Sequence, residues 1–412
     1  MLETYLDSPV TRQRLRVGAA ADHVDAFTDW LHLHGYKPIS IRNRLISLAA
    51  WADWLQAEGF TAQELLPGFE ACKLMVETKQ RVRYSRGPNH HSVAAASLFI
   101  RFLQQQGTIP PPTVRPSPAE QWPVLGEFRS WMRVHRGLTE TTLDVYQGIL
   151  VSLLDSVGDN PECYTAQALR SFVLSRARPH GIHRAKSIVV AVRCFVRFLG
   201  ATGRYPPGME HAIPGFASWG LSSVPRFLAA EDVQRVIDSC AKHVFEQRDR
   251  AVLLLLARLA LRASEVAQLK FSDIDWRNGG IRVCGKGRRQ EVLPLPQEVG
   301  DAILGYVNEA RPPLQAPKVF ATALAPYHPL TRAAVTHIVR AALRRAGIKA
   351  PINGAHVLRH SAATAMLRQG VSLAGVGAVL RHRSPMTTAH YAKVDFGLLS
   401  EIAQPWPEAP SC

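Results

Sequence analysis

Apolar residues recur at steps of three and four through the first half of the chain. Ile41, Leu45 and Leu48 form one such stripe, and Val189, Val192, Val196 and Leu199 form another. That spacing places each set on one face of a helix, where it can turn toward a core. The pattern itself repeats after about a hundred residues. Phe27, Trp30, Leu31, Leu33 and His34 recur as Phe128, Trp131, Met132, Val134 and His135. Further on, Phe99, Arg101, Phe102 and Leu103, followed by Gly107 and Pro110-Pro111, recur as Phe195, Arg197, Phe198 and Leu199, followed by Gly203 and Pro206-Pro207. Agreement at both ends of the unit points to a duplication, and each copy is expected to be a bundle of about four helices. Trp30, Trp51, Trp54 and Trp131 share the helical spacing and read as core.

The second half has a different rhythm. A helix is expected from about Ala230, and residues 248–269 read as mostly helical, buried through Val252 to Leu256. Residues 270–296 switch to short alternating runs. Strands are expected at 271–275, 281–284 and 291–293, with turn signals at Asn278-Gly279-Gly280 and Gly285-Lys286-Gly287. After Pro296 the helical pattern returns and runs to Leu399. Five prolines within residues 110–118 predict a stiff extended linker, and residues 206–225 form a second Pro/Gly-rich boundary. The expected division is 1–112, 119–210 and 224–412. The fold class is mainly α and multidomain: two helical bundles and an α-rich domain with a small antiparallel sheet.

Charge narrows the choice of partner. The 412 residues carry 49 Lys and Arg against 33 Asp and Glu, a net +16. Before Val224 the counts are 24 and 18, and from it onward 25 and 15, so the excess is spread along the chain. A spread excess of this size fits a long polyanion. The most apolar stretch, residues 251–261, is broken by Arg258 and is far shorter than the ~20 residues a membrane span needs. The N-terminal Met-Leu-Glu-Thr carries no signal-peptide pattern, and six scattered cysteines without a CxxC pair predict neither a zinc knuckle nor a disulfide framework. A reducing cytoplasm is the expected location.

The candidate chemistry lies in the last domain. Phosphate recognition favours arginine forks over lysine. Arg262 ends a buried helix and is followed three residues later by Glu265, an awkward pair for a plain core. His356, Arg359 and His360 lie between a glycine and an apolar helix; Arg381 and His382 follow later, with Tyr391 nine residues beyond His382. Lys286 sits in a glycine-flanked turn from which its amine can reach outward.

At these positions the chain resembles the tyrosine recombinase (phage integrase) family. The matching segments are Ala260-Leu261-Arg262-Ala263-Ser264-Glu265-Val266 with Leu269 and Asp273-Ile274-Asp275; Val283-Cys284-Gly285-Lys286-Gly287; His356-Val357-Leu358-Arg359-His360-Ser361; and Leu380-Arg381-His382 with Tyr391. Their order and spacing agree over residues 226–395, and residues 119–210 look like the family's helical core-binding domain. The resemblance implies that Tyr391 is the nucleophile, forming a 3′-phosphotyrosine and freeing a 5′-hydroxyl. It implies that Arg262, Arg359 and His382 hold the non-bridging oxygens. Lys286 would be the general acid for the 5′-oxygen, His356 would assist proton transfer around the tyrosine, and Glu265 would brace an arginine.

A covalent intermediate of this kind stores the bond energy, so no cofactor and no metal are expected. Val357 stands where a zinc-binding His-Glu helix would carry glutamate, which speaks against a metal site at His356 and His360.

Two features depart from the family pattern. Arg381 replaces the usual glycine before the last histidine, and two similar helical domains precede the catalytic one. The implied function is site-specific cutting and rejoining of double-stranded DNA at specific recombination sites, by a homo-tetramer on paired sites, in integration or transposition of a mobile element. Other recombinases of the same element are candidate partners. Residues 396–402 read as a short amphipathic helix docking on a neighbouring protomer. A non-catalytic DNA-binding accessory protein, a Xer-type dimer resolvase and a relaxing topoisomerase are the competing readings. Lys79, Arg81, Arg83 and Arg86 form a basic loop and, with Arg344, Arg345, Arg381 and Arg383, are candidate phosphate contacts. His360 and His390 read as structural or surface residues, and His90-His91 as a solvent-facing polar loop.

Overall fold

A computed structural model describes residues 2–78, 87–111, 116–217, 225–241, 245–285 and 290–394. The first segment contains α1 (Leu2–Tyr5), α2 (Pro9–Arg16), α3 (Ala21–Leu33), α4 (Pro38–Ala57), α5 (Leu65–Thr78) and α6 (His90–Gln105). Its ends are set locally. Ser8 accepts from the Thr11 amide and Pro9 takes the first position of α2. Asn89 accepts from the His91 and Ser92 amides at the start of α6, so His90 and His91 open a helix rather than a loop, although both face solvent. Trp51 is fully buried, while Trp30 and Trp54 pack partly buried against the same core.

The second segment contains α7 (Pro118–Gln121), α8 (Pro123–Arg136), α9 (Glu140–Val157), α10 (Ala166–Ala177) and α11 (Ile182–Ala201). The duplication seen in sequence reappears as ring geometry. Phe27 meets Phe99 edge-on at 5.1 Å and 84°, and Phe128 meets Phe195 at 5.6 Å and 82°. Trp30 lies 5.9 Å from Phe102 at 57°, and Trp131 lies 5.8 Å from Phe198 at 57°. The two copies therefore build their cores around the same aromatic cluster. Truncating one such buried ring to alanine costs about 3–5 kcal/mol.

In the last segment the helices are α12 (Ala230–Asp238), α13 (Glu246–Arg258), α14 (Ala263–Gln268), α15 (Gln297–Gly305), α16 (Arg332–Arg345), α17 (His356–Arg368), α18 (Leu373–Val379) and α19 (Pro385–Ala389). Ala251 through Leu256 are wholly buried, so α13 is the central helix of this core. Between α14 and α15 runs an antiparallel sheet in the order β1 (Ile274–Asp275), β2 (Gly280–Cys284) and β3 (Gln290–Pro294). Ile281 pairs with both Ile274 and Leu293, and Ile281 and Val283 face the core while Arg282 and Cys284 face out. Gly279, at φ +62°, supplies the left-handed residue of the β1–β2 turn.

Two expectations are corrected. The stretch 311–331, expected to be helical, is irregular apart from isolated bridges at Lys270–Lys318 and Ala321–Pro329; Pro312, Pro313, Pro317, Pro326 and Pro329 account for this by removing amide donors. Residues 271–273 form a 3₁₀ turn rather than strand.

By contact, residues 1–110 and 223–412 form one compact unit and 111–222 another. Within the first unit, the Tyr327 hydroxyl donates to the Gly35 carbonyl at 3.1 Å, and any β-carbon on Gly35 would lie 2.7 Å from the Tyr327 ring. No helix among the described residues is long and apolar enough to cross a membrane.

Candidate active site

Two backbone irregularities mark the site. Among the described residues, Ala260 (φ +48°) and Arg381 (φ +54°) are the non-glycine positions in the left-handed region. Such strain persists where surrounding contacts over-determine it. Both residues border one guanidinium. Arg359, buried on α17, donates from its two terminal nitrogens to the carbonyls of Ala260 and Leu380. The turn after α13 aims one carbonyl inward, and the turn after α18 aims the other. Burial, with the Arg262 and Arg381 charges beside it, brings the Arg359 pKa down to about 10, which leaves it cationic at neutral pH.

Glu265 is the second organising group. It stands at the third position of α14, and its carboxylate accepts from the Arg262 backbone amide at 2.8 Å, capping the helix. The same carboxylate takes the Arg262 side chain at 2.6 Å and the Arg381 side chain at 2.7 Å. Glu265 thus braces Arg262, and it braces Arg381 as well. The Arg381 guanidinium is buried, so this residue is not the outward phosphate contact expected from its basic neighbourhood. It lies inside the site, drawn there by Glu265, while Arg383 remains exposed. The left-handed turn is the conformation glycine adopts freely, in keeping with the glycine that the family places there. The guanidinium–carboxylate pair offsets the cost of arginine at that position. Arg345 is also engaged, donating to the Ser239 carbonyl at 3.2 Å.

The histidines and the tyrosine close the other side. Gly377 lets α18 approach Thr388, whose hydroxyl would sit 2.9 Å from any β-carbon at that position. Thr388 in turn bonds His382 Nδ1 at 2.8 Å. Burial and the charges of Arg359, Arg262 and Arg381 hold the His382 pKa at about 4, so its ring is neutral. Tyr391 lies in the 3₁₀ turn His390–Val394 and packs, 3% exposed, against Ala260, Ala363, Leu367, Val376 and Leu380. Its hydroxyl lies 2.6 Å from His360 Nδ1. Burial pushes the phenol up to about 12, with Arg359 acting in the opposite direction. His360 is held at about 4 by burial first and then by the neighbouring His356, His390, Arg359 and His382. His356 stacks on His360 with 5.6 Å between ring centroids, and His382 stacks on Tyr391 at 6.4 Å.

The structure therefore gathers Arg262, Glu265, His356, Arg359, His382 and Tyr391 in one place. It adds Arg381 and His360, the latter expected to be structural or surface. A usable signal for His360 existed: it lies four residues after His356, which puts both rings on one face of α17. A cleft of about 690 Å³ opens beside His382, lined also by Gly285, Arg383 and Thr388. Lys286, Lys79, Arg81, Arg83, Arg86 and residues 396–402 lie outside the described residues. Among those described, no group of three or more His, Cys, Asp or Glu could hold a metal ion.

Residues 226–397 match the phage integrase family. Over nearly its full length the chain is similar to a Sinorhizobium fredii (strain NBRC 101917 / NGR234) protein named as integrase/recombinase y4rA, at 34% identity, covering 98% of this chain and 99% of that one. The chain belongs to the phage integrase family. It is a tyrosine-type site-specific recombinase. Tyrosine recombinase XerA of Pyrococcus furiosus is 29% identical over 283 residues, 68% of this chain and 93% of its own. The fold is that of solved phage integrase relatives. The post-cleavage complex of XerH with a palindromic difH substrate superposes with a TM-score of 0.54 at 17% identity, over 88% of this chain and 97% of that one. A lambda integrase dimer bound to a COC′ core site gives 0.52, also at 17% identity, over 69% and 97%.

Proposed function

We propose that this recombinase cuts and rejoins double-stranded DNA through a 3′-phosphotyrosine at Tyr391, in integration or transposition of a mobile element. The observation that carries the reading is the convergence of Tyr391 with Arg262, Arg359 and His382 around one small volume. Developing charge on a pentavalent phosphate is stabilised by donors already in place. Arg359, fixed by two main-chain carbonyls, and Arg262, fixed by Glu265, meet that need. Lys286 is assigned as the acid that protonates the 5′-oxygen, on the strength of its match to the family motif alone. The chain acts as a homo-tetramer on paired sites. Residues 1–112 and 119–210 are two helical DNA-binding domains that precede the catalytic domain 224–412; their net positive charge and the matching aromatic packing inside each one's own core support equivalent roles.

Integration is favoured over Xer-type resolution by coverage. The similarity to y4rA spans 98% of the chain, whereas the Xer relative accounts for 68%.

The test uses a nicked suicide duplex carrying the recombination site, recovered first by covalent capture with the intact protein. Tyr391→Phe should bind this duplex normally and give no covalent band on a denaturing gel. A persisting adduct would move the nucleophile elsewhere, with His390 and Ser384 the next suspects.

A further inference from the structure

We propose that His360, rather than His356, receives the proton of Tyr391 during strand cleavage and returns it during rejoining. The proposal rests on Tyr391 being the nucleophile. Its observation is independent of any motif: the Tyr391 hydroxyl lies 2.6 Å from His360 Nδ1, with the rings 5.6 Å apart at 48°. The other imidazoles are less suitably placed. His356 faces His360 rather than the tyrosine, one helical turn back on α17. His382 has its Nδ1 engaged by Thr388 and lies parallel to the phenol ring. His390 is the chain neighbour of Tyr391 and meets it edge-on at 6.1 Å.

An acceptor is needed. With its phenol held up to about 12, Tyr391 is ionised in only about one molecule in 10⁴–10⁵ near pH 7.5. His360 is surrounded by His356 and Arg359 on α17, by His382 after α18, and by His390 and Tyr391. Burial first, and then these neighbours with the Arg359 charge among them, keep its ring neutral throughout the physiological range, so Nδ1 can take the phenol proton.

The step balances. The Tyr391 Oη–P bond forms as the P–O5′ bond breaks. The phenol proton passes to His360 Nδ1, and the 5′-oxygen takes a proton from the Lys286 ammonium. In rejoining, the 5′-hydroxyl attacks and returns its proton to the neutral Lys286 amine, the Tyr391–P bond breaks, and His360 gives its proton back to the phenol. The Arg359 charge favours the ionised phenol.

The experiment follows the covalent adduct in single turnover on the suicide duplex between pH 6 and 8, with site binding checked by gel shift. Wild type should be flat across this range. His360→Ala should be slower by about 10²-fold or more at pH 7. Its rate should rise about tenfold per pH unit, because the proton must then leave to solvent, and added imidazole should accelerate it. His360→Asn keeps a polar atom near the Nδ1 position but cannot carry a proton; it should show the same slope. His356→Ala should keep the flat profile. Full recovery in His360→Asn, or a His360→Ala defect equal at every pH, would reduce His360 to positioning and overturn the proposal. A sloping profile in His356→Ala beside a flat one in His360→Ala would transfer the role to His356. Failure of the underlying reading is separable, since it would appear as an adduct in Tyr391→Phe.

Discussion

The two sides of the active site are held by different means. On the arginine side every guanidinium is already committed. Arg359 spans two main-chain carbonyls from distant turns, and Glu265 joins Arg262 to Arg381 and to the start of α14. Two strained residues, Ala260 and Arg381, keep those turns in place. On the tyrosine side a single hydroxyl hydrogen bond and a small apolar cluster hold a short 3₁₀ turn. The anion-binding half is therefore part of the fold, while the nucleophile is attached to the fold through a local element that opens at lower cost. Substitutions that break the Arg359 fork on the first side should damage stability and chemistry together. Substitutions on the second side should damage chemistry alone at neutral pH.

The largest effect tests this division directly. Tyr391→Phe should abolish adduct formation yet shift the unfolding free energy by only about 1 kcal/mol, the worth of one hydrogen bond. Arg359→Lys should fail on both counts. A lysine ammonium cannot present the planar fork that reaches both carbonyls, so at least one buried acceptor is orphaned at about 1–3 kcal/mol. Adduct formation should fall by about 10²-fold or more, as for loss of a preorganised donor. Thermal melts of the two variants, run beside the gel assay, decide the matter. An Arg359→Lys protein that melts like wild type would mean the arginine side is no more built-in than the tyrosine side.

Arg381→Gly should have a smaller effect. Glycine relieves the left-handed strain, about 1–2 kcal/mol, and forfeits the ion pair with Glu265. These offset, so the melt should move little. Without Arg381, Glu265 keeps Arg262 but loses its second anchor, and the adduct rate should fall by about tenfold. Arg381→Lys should restore part of that rate. An unchanged rate in the glycine variant would make Arg381 a filler of the turn rather than a brace for the site.

Much of this was legible in the chain itself. The aromatic repeat was readable because Phe27, Trp30, Phe99 and Phe102 and their counterparts keep fixed intervals, and core packing enforces intervals. The arginine side was readable because helix capping and the Arg262–Glu265 pair act over three residues. The sheet was readable from glycine turns and alternation. What escaped depends on contacts between distant elements. Arg381 looks like part of a basic surface run until Glu265, more than a hundred residues earlier, is brought beside it. His360 reads as a helix residue until the turn carrying Tyr391 folds across α17. The irregular stretch 311–331 is the exception: its prolines stand in the sequence, and their missing amide donors outweigh its apolar spacing.

A last expected effect is in pH dependence, and it separates the two sides once more. The rings of His360 and His382 are held at about 4 in the folded protein, against an ordinary value near 6.5. Well above pH 6.5 both are neutral whether the chain is folded or not, and their contribution to stability is complete. Between pH 6.5 and 4 the unfolded chain takes up protons that the folded site refuses, so stability falls as the pH is lowered through that window. The guanidinium–carbonyl contacts of Arg359 carry no group that titrates there. Melts at pH 7, 6, 5 and 4.5 should therefore show a decline that is shallower in His360→Asn and shallower again when His382→Asn is added, because each replacement removes one group that resists protonation in the folded state. Arg359→Lys should lower the whole curve without changing its slope. Parallel curves for wild type and both asparagine variants would mean that the tyrosine side already opens in the folded ensemble and lets water and protons reach its imidazoles.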